Sequence, residues 1–299
     1  MMASATLQHT VATPAAFRGA GVHGGLPVEV VVRPAPVDAG LVFVRTDLAG
    51  DNRVPVRADA VVDTRLHTVL GNAAGASVST VEHLLAALAA LGVDNAVIEI
   101  DGPETPIMDG SAQPFVQALD QAGRRAQARP RRCIEITAPV EVVVGDKRAA
   151  LLPSDAPGLV MDVEIAFESA VIGRQRIELL ADEGAVRREL VRARTFGFLS
   201  DAEVLRARGL ALGAGLHNSV VVDGDRVLNP EGLRAPDEFV RHKALDALGD
   251  LYVLGAPILG RYEARFPGHA LNNALARALL AQPGAWRSRE FAPAFAHAG

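Results

Sequence analysis

The sequence lacks the features of a disulfide-stabilised, membrane-spanning or nucleic-acid-binding protein. It has one cysteine among 299 residues, which excludes an internal disulfide and fits a reducing compartment. Aromatic residues make up 4% and the net charge is −5, so base-stacking surfaces and a basic field for nucleic acid are absent. The longest apolar run, residues 84–93, is shorter than the ~20 residues that span a bilayer. We expect a cytoplasmic protein, and this composition is compatible with weak contact at a membrane surface.

The remaining composition is that of a folded protein with an aliphatic core. Hydrophobic residues make up 49%, charged residues 22%, and the mean hydropathy is +0.19. The N-terminal residues 1–19 lack the basic start and continuous apolar segment of a signal peptide. A chain of this length can form one large domain or two ordinary ones.

A charged stretch near the middle of the chain predicts a domain boundary. Residues 124–132 contain five arginines and one proline, a composition that packs poorly and favours solvent. The predicted domains are residues 1–128 and 129–299, and a charged loop inside one domain is the alternative.

Hydrophobic patterning predicts a mixture of strands and helices in each half. β-Branched runs between proline and glycine predict strands, and longer apolar periodicity predicts helices. The predicted strands cover residues 27–36, 41–47, 95–100, 133–153 and 159–167. The predicted helices cover residues 80–91, 111–123, 182–192, 200–207, 238–254 and 269–281. Each half thus combines a sheet with about two long helices, an α+β pattern.

A polar stripe on one predicted helix is the strongest candidate site. His242, Asp246 and Asp250 recur at intervals of four in EFVRHKALDALGD, residues 238–250. Residues four apart are neighbours on a helix, so an imidazole and a carboxylate can bind one metal ion together. An exposed His–Asp pair, which stabilises a helix by only a few tenths of a kcal/mol, is the alternative.

Glu82 and His83 form a second candidate, at the start of a predicted helix. STVE at residues 79–82 fits a capping box with Ser79 as the N-cap, so Glu82 can be only a helix-start residue. His83 adds nothing to that cap, and a helix N-terminus disfavours its protonated form, which suits metal ligation. A glutamate beside a ligand can reach water at the metal as a general base.

Two further segments carry candidate catalytic groups. His269 opens a predicted helix after Pro267 and Gly268, where a structural role in the turn is the alternative. Thr195 places a hydroxyl donor beside two phenylalanines in RARTFGF, residues 192–198. The separated motifs together suggest a mononuclear zinc hydrolase.

Long motifs resemble those of a known family. Over residues 7–286 the chain resembles the UDP-3-O-acyl-N-acetylglucosamine deacetylase family, zinc amidases of lipid A biosynthesis in Gram-negative bacteria. The resemblance is carried by VEHLLAALAALGVDNAVIEIDGPETPIMDGSA, RARTFGF, LNPEGLR, DEFVRHKALDALGDL and GHALNN.

The resemblance implies a zinc site with an adjacent base. His83, His242 and Asp246 would ligate one Zn²⁺ per chain, with a fourth position left for water or substrate. Fe²⁺ is an alternative occupant of the same ligands. Glu82 would accept the proton of the attacking water.

The resemblance also implies the remaining catalytic groups. His269, held by Asp250, would stabilise the oxyanion or protonate the leaving amine, and Thr195 would donate a hydrogen bond to the oxyanion. The division of proton transfers between Glu82 and His269 stays open.

Substrate contacts and fold follow from the same resemblance. Lys243 and His23 would face phosphate and sugar, and Asp201 and Phe167 would lie near the nucleoside. An insert at about residues 197–227 would form a hydrophobic acyl passage. The full set of implied substrate contacts is Lys243, His23, Phe196, Phe198, Asp201, Phe167 and Leu216. The implied fold is two α+β domains, each with two main helices and one insert, with the helices sandwiched between the two sheets.

The implied reaction is release of acetate from UDP-3-O-(hydroxyacyl)-N-acetylglucosamine by a monomer without a stable protein partner. The chain has His217 where the family more often has an aspartate, which leaves the preferred acyl length open. A metal-dependent amidase for another N-acyl sugar and a non-catalytic metal-binding protein are the competing hypotheses.

Overall fold

Two large sheets enclose the main helices of the chain. The computed structural model describes residues 7–291, so part of the N-terminal segment compared with a signal peptide lies outside the described residues. The strands are β1 (Leu7–Val11), β2 (Ala15–Ala20), β3 (Pro27–Pro34), β4 (Leu41–Arg45), β5 (Arg53–Pro55), β6 (Val61–Asp63), β7 (Val69–Gly71), β8 (Ser77–Val78), β9 (Ala96–Ile100), β10 (Arg124–Pro130), β11 (Arg132–Ile136), β12 (Val140–Val144), β13 (Lys147–Leu152), β14 (Leu159–Ala166), β15 (Arg174–Leu180), β16 (Phe196–Phe198), β17 (Val220–Asp223), β18 (Arg226–Val227), β19 (Ile258–Arg265) and β20 (Trp286–Glu290). The helices are α1 (Glu82–Ala90), α2 (Gln113–Ala122), α3 (Glu183–Ala185), α4 (Leu199–Ala207), α5 (Glu238–Leu251) and α6 (His269–Leu280).

Each large sheet is built from one half of the chain. The first has five strands in the order β2-β3-β9-β4-β5, with β4 and β9 parallel. The second has seven strands, with the path β12-β13-β19-β11-β20 and with β14 joining β19 to β15. Three small sheets complete the part of the chain that the structure describes: β1–β10, β6–β7–β8 and β16–β17–β18. The last of these, with α4, occupies the insert implied at about residues 197–227, which is the second insert in chain order.

The helices lie between the two large sheets. α1 packs on α5, α2 packs on β2, and α6 packs on β12 and β13. Every residue of α1 except Ala89 is buried, as expected for a helix that is covered on all sides. The α+β fold class with sandwiched helices is therefore confirmed. Within residues 7–291, no helix combines the length and apolar composition needed to cross a membrane.

The capping box predicted at the start of α1 is wrong. The helix begins at Glu82 and its N-cap is Val81, which makes no side-chain cap. Thr80 has φ 57°, a left-handed conformation that cannot continue into a right-handed helix from Ser79. The Thr80 hydroxyl instead donates to Glu104 Oε1 at 2.9 Å. The Glu82 carboxylate is therefore not a capping group.

The arginine-rich stretch is a strand rather than a loop. β10 pairs antiparallel with β1. Its residues are mostly exposed, so the backbone joins a ladder while the charged side chains stay in solvent.

The helix predicted for residues 182–192 is shorter than expected, because α3 has three residues and continues as a π-helical turn, Val186–Leu190. The positions of the other predicted helices are confirmed to within about two residues, apart from the last three residues of the 238–254 segment, which form a 3₁₀ turn.

Gly249 allows α5 to approach the backbone of α1. A Cβ atom at this position would lie 2.0 Å from the Glu82 carbonyl oxygen and 3.1 Å from the Ala86 nitrogen. Neither backbone atom can move away as a flexible side chain can. The absence of a side chain at Gly249 therefore sets the distance between the two helices that carry the candidate site.

Replacing Gly249 by alanine should destabilise the protein. We expect Gly249→Ala to lower the free energy of unfolding by about 1–3 kcal/mol, because the added methyl overpacks the helix interface. Urea unfolding measured by circular dichroism would provide the value. Gly284→Ala is the matched control, since a Cβ there meets no heavy atom within 4 Å. Equal stability of the two variants would contradict this account of the interface.

Candidate metal centre

Two histidines and one aspartate converge between α1 and α5. His83 is the second residue of α1, and His242 and Asp246 lie one turn apart on α5. Asp246 Oδ1 lies 3.2 Å from His242 Nε2 and 3.5 Å from His83 Nε2. One ligand atom from each residue lies within 4.8 Å of the other two, and all three residues are buried. The exposed His–Asp pair considered for α5 is therefore excluded.

The donors fit a divalent metal ion. Asp246 Oδ1 is a buried atom with no hydrogen-bond partner among residues 7–291, and such an atom in a protein interior calls for a ligand. His242 Nδ1 lies 3.1 Å from the Ala193 carbonyl oxygen, which leaves Nε2 for a metal and fixes the ring. Two imidazole nitrogens and one carboxylate oxygen are the ligand types of catalytic zinc sites.

The charge states of the ligands agree with metal binding. Burial lowers the pKa of His242 to about 3, although Asp246 opposes the shift. The ring is then neutral at physiological pH, as a ligand must be. Burial disfavours ionisation of Asp246, but the pKa of Asp246 is held well below its usual value, with the charged Lys243 favouring the carboxylate. A neutral imidazole and an ionised carboxylate result.

Glu82 and His269 face each other beside these ligands. Glu82 Oε1 lies 4.0 Å from His269 Nε2, too far for a direct hydrogen bond. The other oxygen, Oε2, accepts a hydrogen bond from the Thr68 backbone N–H at 3.1 Å. Burial raises the pKa of Glu82 above its usual value. The carboxylate is thus held in place and made more basic.

Asp250 fixes the His269 ring and its charge. His269 Nδ1 lies 2.9 Å from Asp250 Oδ2. Asp250 also accepts hydrogen bonds from Asn272 Nδ2 at 2.8 Å and Thr68 Oγ1 at 2.6 Å. Burial favours the neutral ring, but the charges of Asp250 and Glu82 outweigh it and raise the pKa of His269 to about 9. At neutral pH, His269 is therefore an imidazolium whose Nε2 lies 4.0 Å from Glu82 Oε1.

A buried ion pair holds the segment that carries Thr195. The Arg194 backbone N–H and Nε both donate to Glu238 Oε1, at 3.0 and 2.9 Å. The exposed fractions of their side chains are 3% and 1%, so the pair anchors this segment to the first turn of α5. The Thr195 backbone is also paired on both sides, with Gly110 and Val220. Thr195 is consequently fixed beside the helix that supplies two ligands.

Lys243 joins the metal centre to a cavity. Its Nζ donates to Asp246 Oδ2 at 2.9 Å and lies 5.5 Å from the centre of the Phe196 ring. Burial disfavours the ammonium, but Asp246 outweighs it and raises the pKa of Lys243. Lys243, Phe167 and Lys147 line a cavity of about 540 Å³. A cationic group therefore faces the space next to the ligands.

The remaining implied substrate contacts are aromatic residues and residues of the second insert. Phe196 stacks edge-on against Phe167, with ring centres 5.6 Å apart, and Phe198 lies 5.8 Å from Phe167. Asp201 is exposed on α4, where Ser200 Oγ contacts it at 3.4 Å. Leu216 is 42% exposed. The structure brings the phenylalanines together, whereas Asp201 and Leu216 lie on the surface of the second insert.

Several supporting residues were not identified from the sequence. Thr68 and His67 lie outside every motif that the sequence analysis singles out. His23 stacks on His67, with ring centres 4.2 Å apart. Glu104 accepts hydrogen bonds from the His23 and Gly24 backbone N–H groups, both at 2.8 Å. No local periodicity marks these residues, because their partners are distant in the chain.

The chain is similar to proteins of one family over nearly its whole length. The profile of the family described as UDP-3-O-acyl N-acetylglycosamine deacetylase matches residues 8–281. A relative from Phenylobacterium zucineum (strain HLK1), named UDP-3-O-acyl-N-acetylglucosamine deacetylase, is 63% identical over 292 residues, which cover 97% of this chain and 99% of the relative.

Two more distant relatives carry the same name. One from Shewanella sp. (strain W3-18-1) is 49% identical over 284 residues, 95% of this chain and 93% of the relative. One from Anaeromyxobacter sp. (strain Fw109-5) is 50% identical over 280 residues, 94% of this chain and 90% of the relative. The similarity extends over nearly the full length in each case. The chain therefore belongs to the UDP-3-O-acyl-N-acetylglucosamine deacetylase family.

Proposed function

We propose that this deacetylase uses one zinc ion to hydrolyse the N-acetyl amide of UDP-3-O-(hydroxyacyl)-N-acetylglucosamine, releasing acetate in lipid A biosynthesis. The observation that carries the proposal is the convergence of His83, His242 and Asp246 within 4.8 Å, beside the Glu82–His269 pair. Fe²⁺ suits the same ligands. A zinc ion held there would act as a Lewis acid that polarises the amide carbonyl and acidifies water.

Glu82 serves as the general base in this proposal. Its Oε2 is held by the Thr68 N–H, so Oε1 remains to accept a proton from the attacking water. Burial raises its pKa, which brings its basicity closer to neutral pH, where a general base is most effective. The water attacks the carbonyl carbon as Glu82 takes its proton.

His269 and Thr195 complete the reaction. The Thr195 hydroxyl donates a hydrogen bond to the carbonyl oxygen as that oxygen becomes negative. His269 Nε2–H then protonates the amide nitrogen while the C–N bond breaks, and acetate and a free amine result. Asp250 stabilises the imidazolium before this transfer, since it accepts the hydrogen bond of Nδ1.

The surroundings of Lys243 fit the charged part of the substrate. Lys243 and Lys147 line the cavity of about 540 Å³ together with Phe167. Ammonium groups and an aromatic ring are suited to a diphosphate and to a stacked base, and Asp146 and Glu168 on the same wall provide acceptors for sugar hydroxyls. We assign the nucleoside diphosphate to this cavity and the acyl chain to the insert with Phe198 and Leu216. His23 lies on the sugar side, near His269.

Two substitutions separate metal binding from catalysis. We expect Asp246→Ala to lose both zinc and activity, because it removes one ligand. Glu82→Gln should retain about one zinc ion per chain and lose roughly 10²–10⁴-fold in kcat, the range for a lost general base. Metal analysis and acetate release from the acylated sugar nucleotide measure both effects. Full activity of Glu82→Gln would remove the proposed base, and wild-type protein without acetate release would refute the reaction.

The pH dependence should reveal His269. Because its pKa is raised from 6.5 to about 9, we expect kcat/KM to fall as pH rises through about 9 and the acid loses its proton. Asp250→Asn removes the main charge that raises this pKa, so the alkaline limb should move to lower pH.

The control for the pH profile is Asp223→Asn, which neutralises a surface carboxylate paired with Arg226. Its alkaline limb should coincide with that of the wild type. An unchanged limb in Asp250→Asn would contradict the role of His269 as the acid.

Thr195 can be tested by an isosteric change. Thr195→Val removes the hydroxyl but keeps the shape, and we expect kcat to fall roughly 10²–10³-fold, as when an oxyanion donor is lost. Zinc content should not change. Thr137→Val provides the control, since the hydroxyl of this exposed threonine donates to the distant Gly284 carbonyl. Similar kcat values for the two variants would exclude Thr195 as the donor.

A further inference from the structure

A chain of buried hydrogen bonds connects the second large sheet to His269. The Tyr262 hydroxyl donates to Asn272 Oδ1 at 2.6 Å, and Asn272 Nδ2 donates to Asp250 Oδ2 at 2.8 Å. The same Asp250 oxygen lies 2.9 Å from His269 Nδ1. Tyr262 is 0% exposed and Asn272 is 1% exposed, so bulk solvent does not compete for these bonds. The proposed chemistry uses His269 and Asp250 but gives no role to Tyr262 or Asn272.

The direction of each hydrogen bond in this chain is determined. The carboxylate of Asp250 can only accept, so Asn272 must present its amide nitrogen to it. The amide oxygen of Asn272 then faces Tyr262, whose hydroxyl must donate. Burial raises the pKa of Tyr262 well above its usual value, and the charge of Asp250 acts in the same direction. The hydroxyl therefore keeps its proton and fixes the amide in the orientation that Asp250 requires.

Rigid elements hold both ends of the chain. Tyr262 lies in β19, where it pairs with Leu151 of β13 on one side and Met161 of β14 on the other. Asn272 lies on α6 three residues after His269, so the two side chains project from the same face of the helix. The interior of a sheet and the first turn of a packed helix allow little movement. Tyr262 thus anchors the Asn272 amide to the sheet.

The two oxygens of Asp250 have different partners. Oδ1 accepts the Thr68 hydroxyl at 2.6 Å, whereas Oδ2 accepts the Asn272 amide and is the oxygen nearer to His269 Nδ1, at 2.9 Å against 3.2 Å. A carboxylate held at both oxygens cannot rotate freely, and neither can the imidazole that binds it. The position of His269 Nε2, 4.0 Å from Glu82 Oε1, is set accordingly.

We propose that Asn272 and Tyr262 are positioning residues, which hold Asp250 so that His269 Nε2 is directed at the nitrogen of the leaving amine. This inference rests on the proposed function, in which His269 protonates that nitrogen. Both residues lack exposed surface, so they act through Asp250 and not by contact with the substrate. An orienting bond of this kind matters for the proton transfer and little for substrate binding.

Two substitutions break the chain at different points. Tyr262→Phe removes only the hydroxyl, and we expect kcat to fall about five- to tenfold, as for one lost neutral hydrogen bond. Asn272→Leu keeps the approximate shape but removes a bond to a charged group, so kcat should fall about ten- to hundredfold. KM should stay within about twofold in both. Acetate release from the acylated sugar nucleotide gives both constants. Unchanged kcat, or a loss confined to KM, would overturn the proposal.

Combined variants distinguish positioning from a general loss of structure. Adding Tyr262→Phe to Asn272→Leu should lower kcat no further than Asn272→Leu alone, because the hydroxyl acts only through that amide. Adding Asn272→Leu to Asp250→Asn should likewise have no further effect. Losses that multiply in either combination would contradict the chain.

The same set separates this inference from the proposed acid. If Asp250→Asn keeps full kcat, the role of His269 in the proposed function is wrong, and the positioning inference fails with it. If Asp250→Asn lowers kcat while Asn272→Leu and Tyr262→Phe do not, only the positioning inference fails.

Tyr252→Phe is the matched control. Tyr252 is also a buried tyrosine, and its hydroxyl donates to the Val93 carbonyl oxygen at 2.9 Å, outside the chain that leads to His269. This variant should lower the thermal midpoint about as much as Tyr262→Phe but keep the kcat of wild type. An equal loss of kcat in both would show that any lost buried hydroxyl has this effect. Asn272→Leu carries the test if Tyr262→Phe does not fold, as judged by zinc content and thermal midpoint.

Nuclear magnetic resonance tests the contact without catalysis. In protein labelled with ¹⁵N-histidine, the Nδ1 proton of His269 is assigned by its change in Asp250→Asn. Its exchange with water should be about fivefold faster or more in Tyr262→Phe and Asn272→Leu, because the bond to Asp250 is loosened, and unchanged in Tyr252→Phe. Faster exchange supports the positioning role even where acetate release fails. Unchanged exchange in both chain variants refutes it.

Discussion

The close packing of α1 on α5 is the constraint on which the site depends. Glu82 and His83 come from one helix, and His242 and Asp246 come from a helix more than 150 residues later in the chain. Gly249 lets the α5 backbone reach the carbonyl of Glu82 itself, so the packing contact and the proposed base share a residue. A wider helix separation would move the His83 ring away from Asp246 Oδ1, now 3.5 Å distant. The close approach of His83 to Asp246 in the candidate metal site is thus a consequence of backbone packing.

Burying so many ionisable groups between helices is unfavourable unless they compensate one another. The buried carboxylate of Asp250 is compensated by hydrogen bonds with Thr68, Asn272 and His269. The carboxylate of Asp246 is compensated by a hydrogen bond from the charged Lys243. The same burial gives these groups different charge states and basicities. It makes His242 neutral and Glu82 more basic, while the Asp250 charge keeps the His269 ring protonated. Groups whose environments move their pKa values in different directions can act as ligand, base and acid in a single pocket.

The surrounding elements extend the site away from the metal centre. The Arg194–Glu238 pair ties the segment before the second insert to α5, so the Thr195 hydroxyl and the Ala193 carbonyl that orients His242 are fixed by one anchor. On another side, Thr68 contacts Glu82 and Asp250 while its neighbour His67 stacks on His23. These two segments belong to different halves of the chain. The candidate site between α1 and α5 therefore receives supporting contacts from both halves of the chain.

The sequence by itself determined the helices and the residue types of the site. The four-residue spacing of His242, Asp246 and Asp250 placed them on one helix face, and the long motifs indicated the family, because helical periodicity and contiguous motifs are local properties. The local pattern wrongly predicted Ser79 as the N-cap, because the left-handed conformation of Thr80 makes the helix begin after it. It also gave no sign that residues 124–132 form a strand, because that strand depends on pairing with β1. Only the tertiary structure decided that His83 meets His242, that Thr68 bridges Glu82 and Asp250, and that His67 lies against His23. The reason is physical: these contacts join residues far apart in the chain, and their partners are fixed by the packing of helices and sheets.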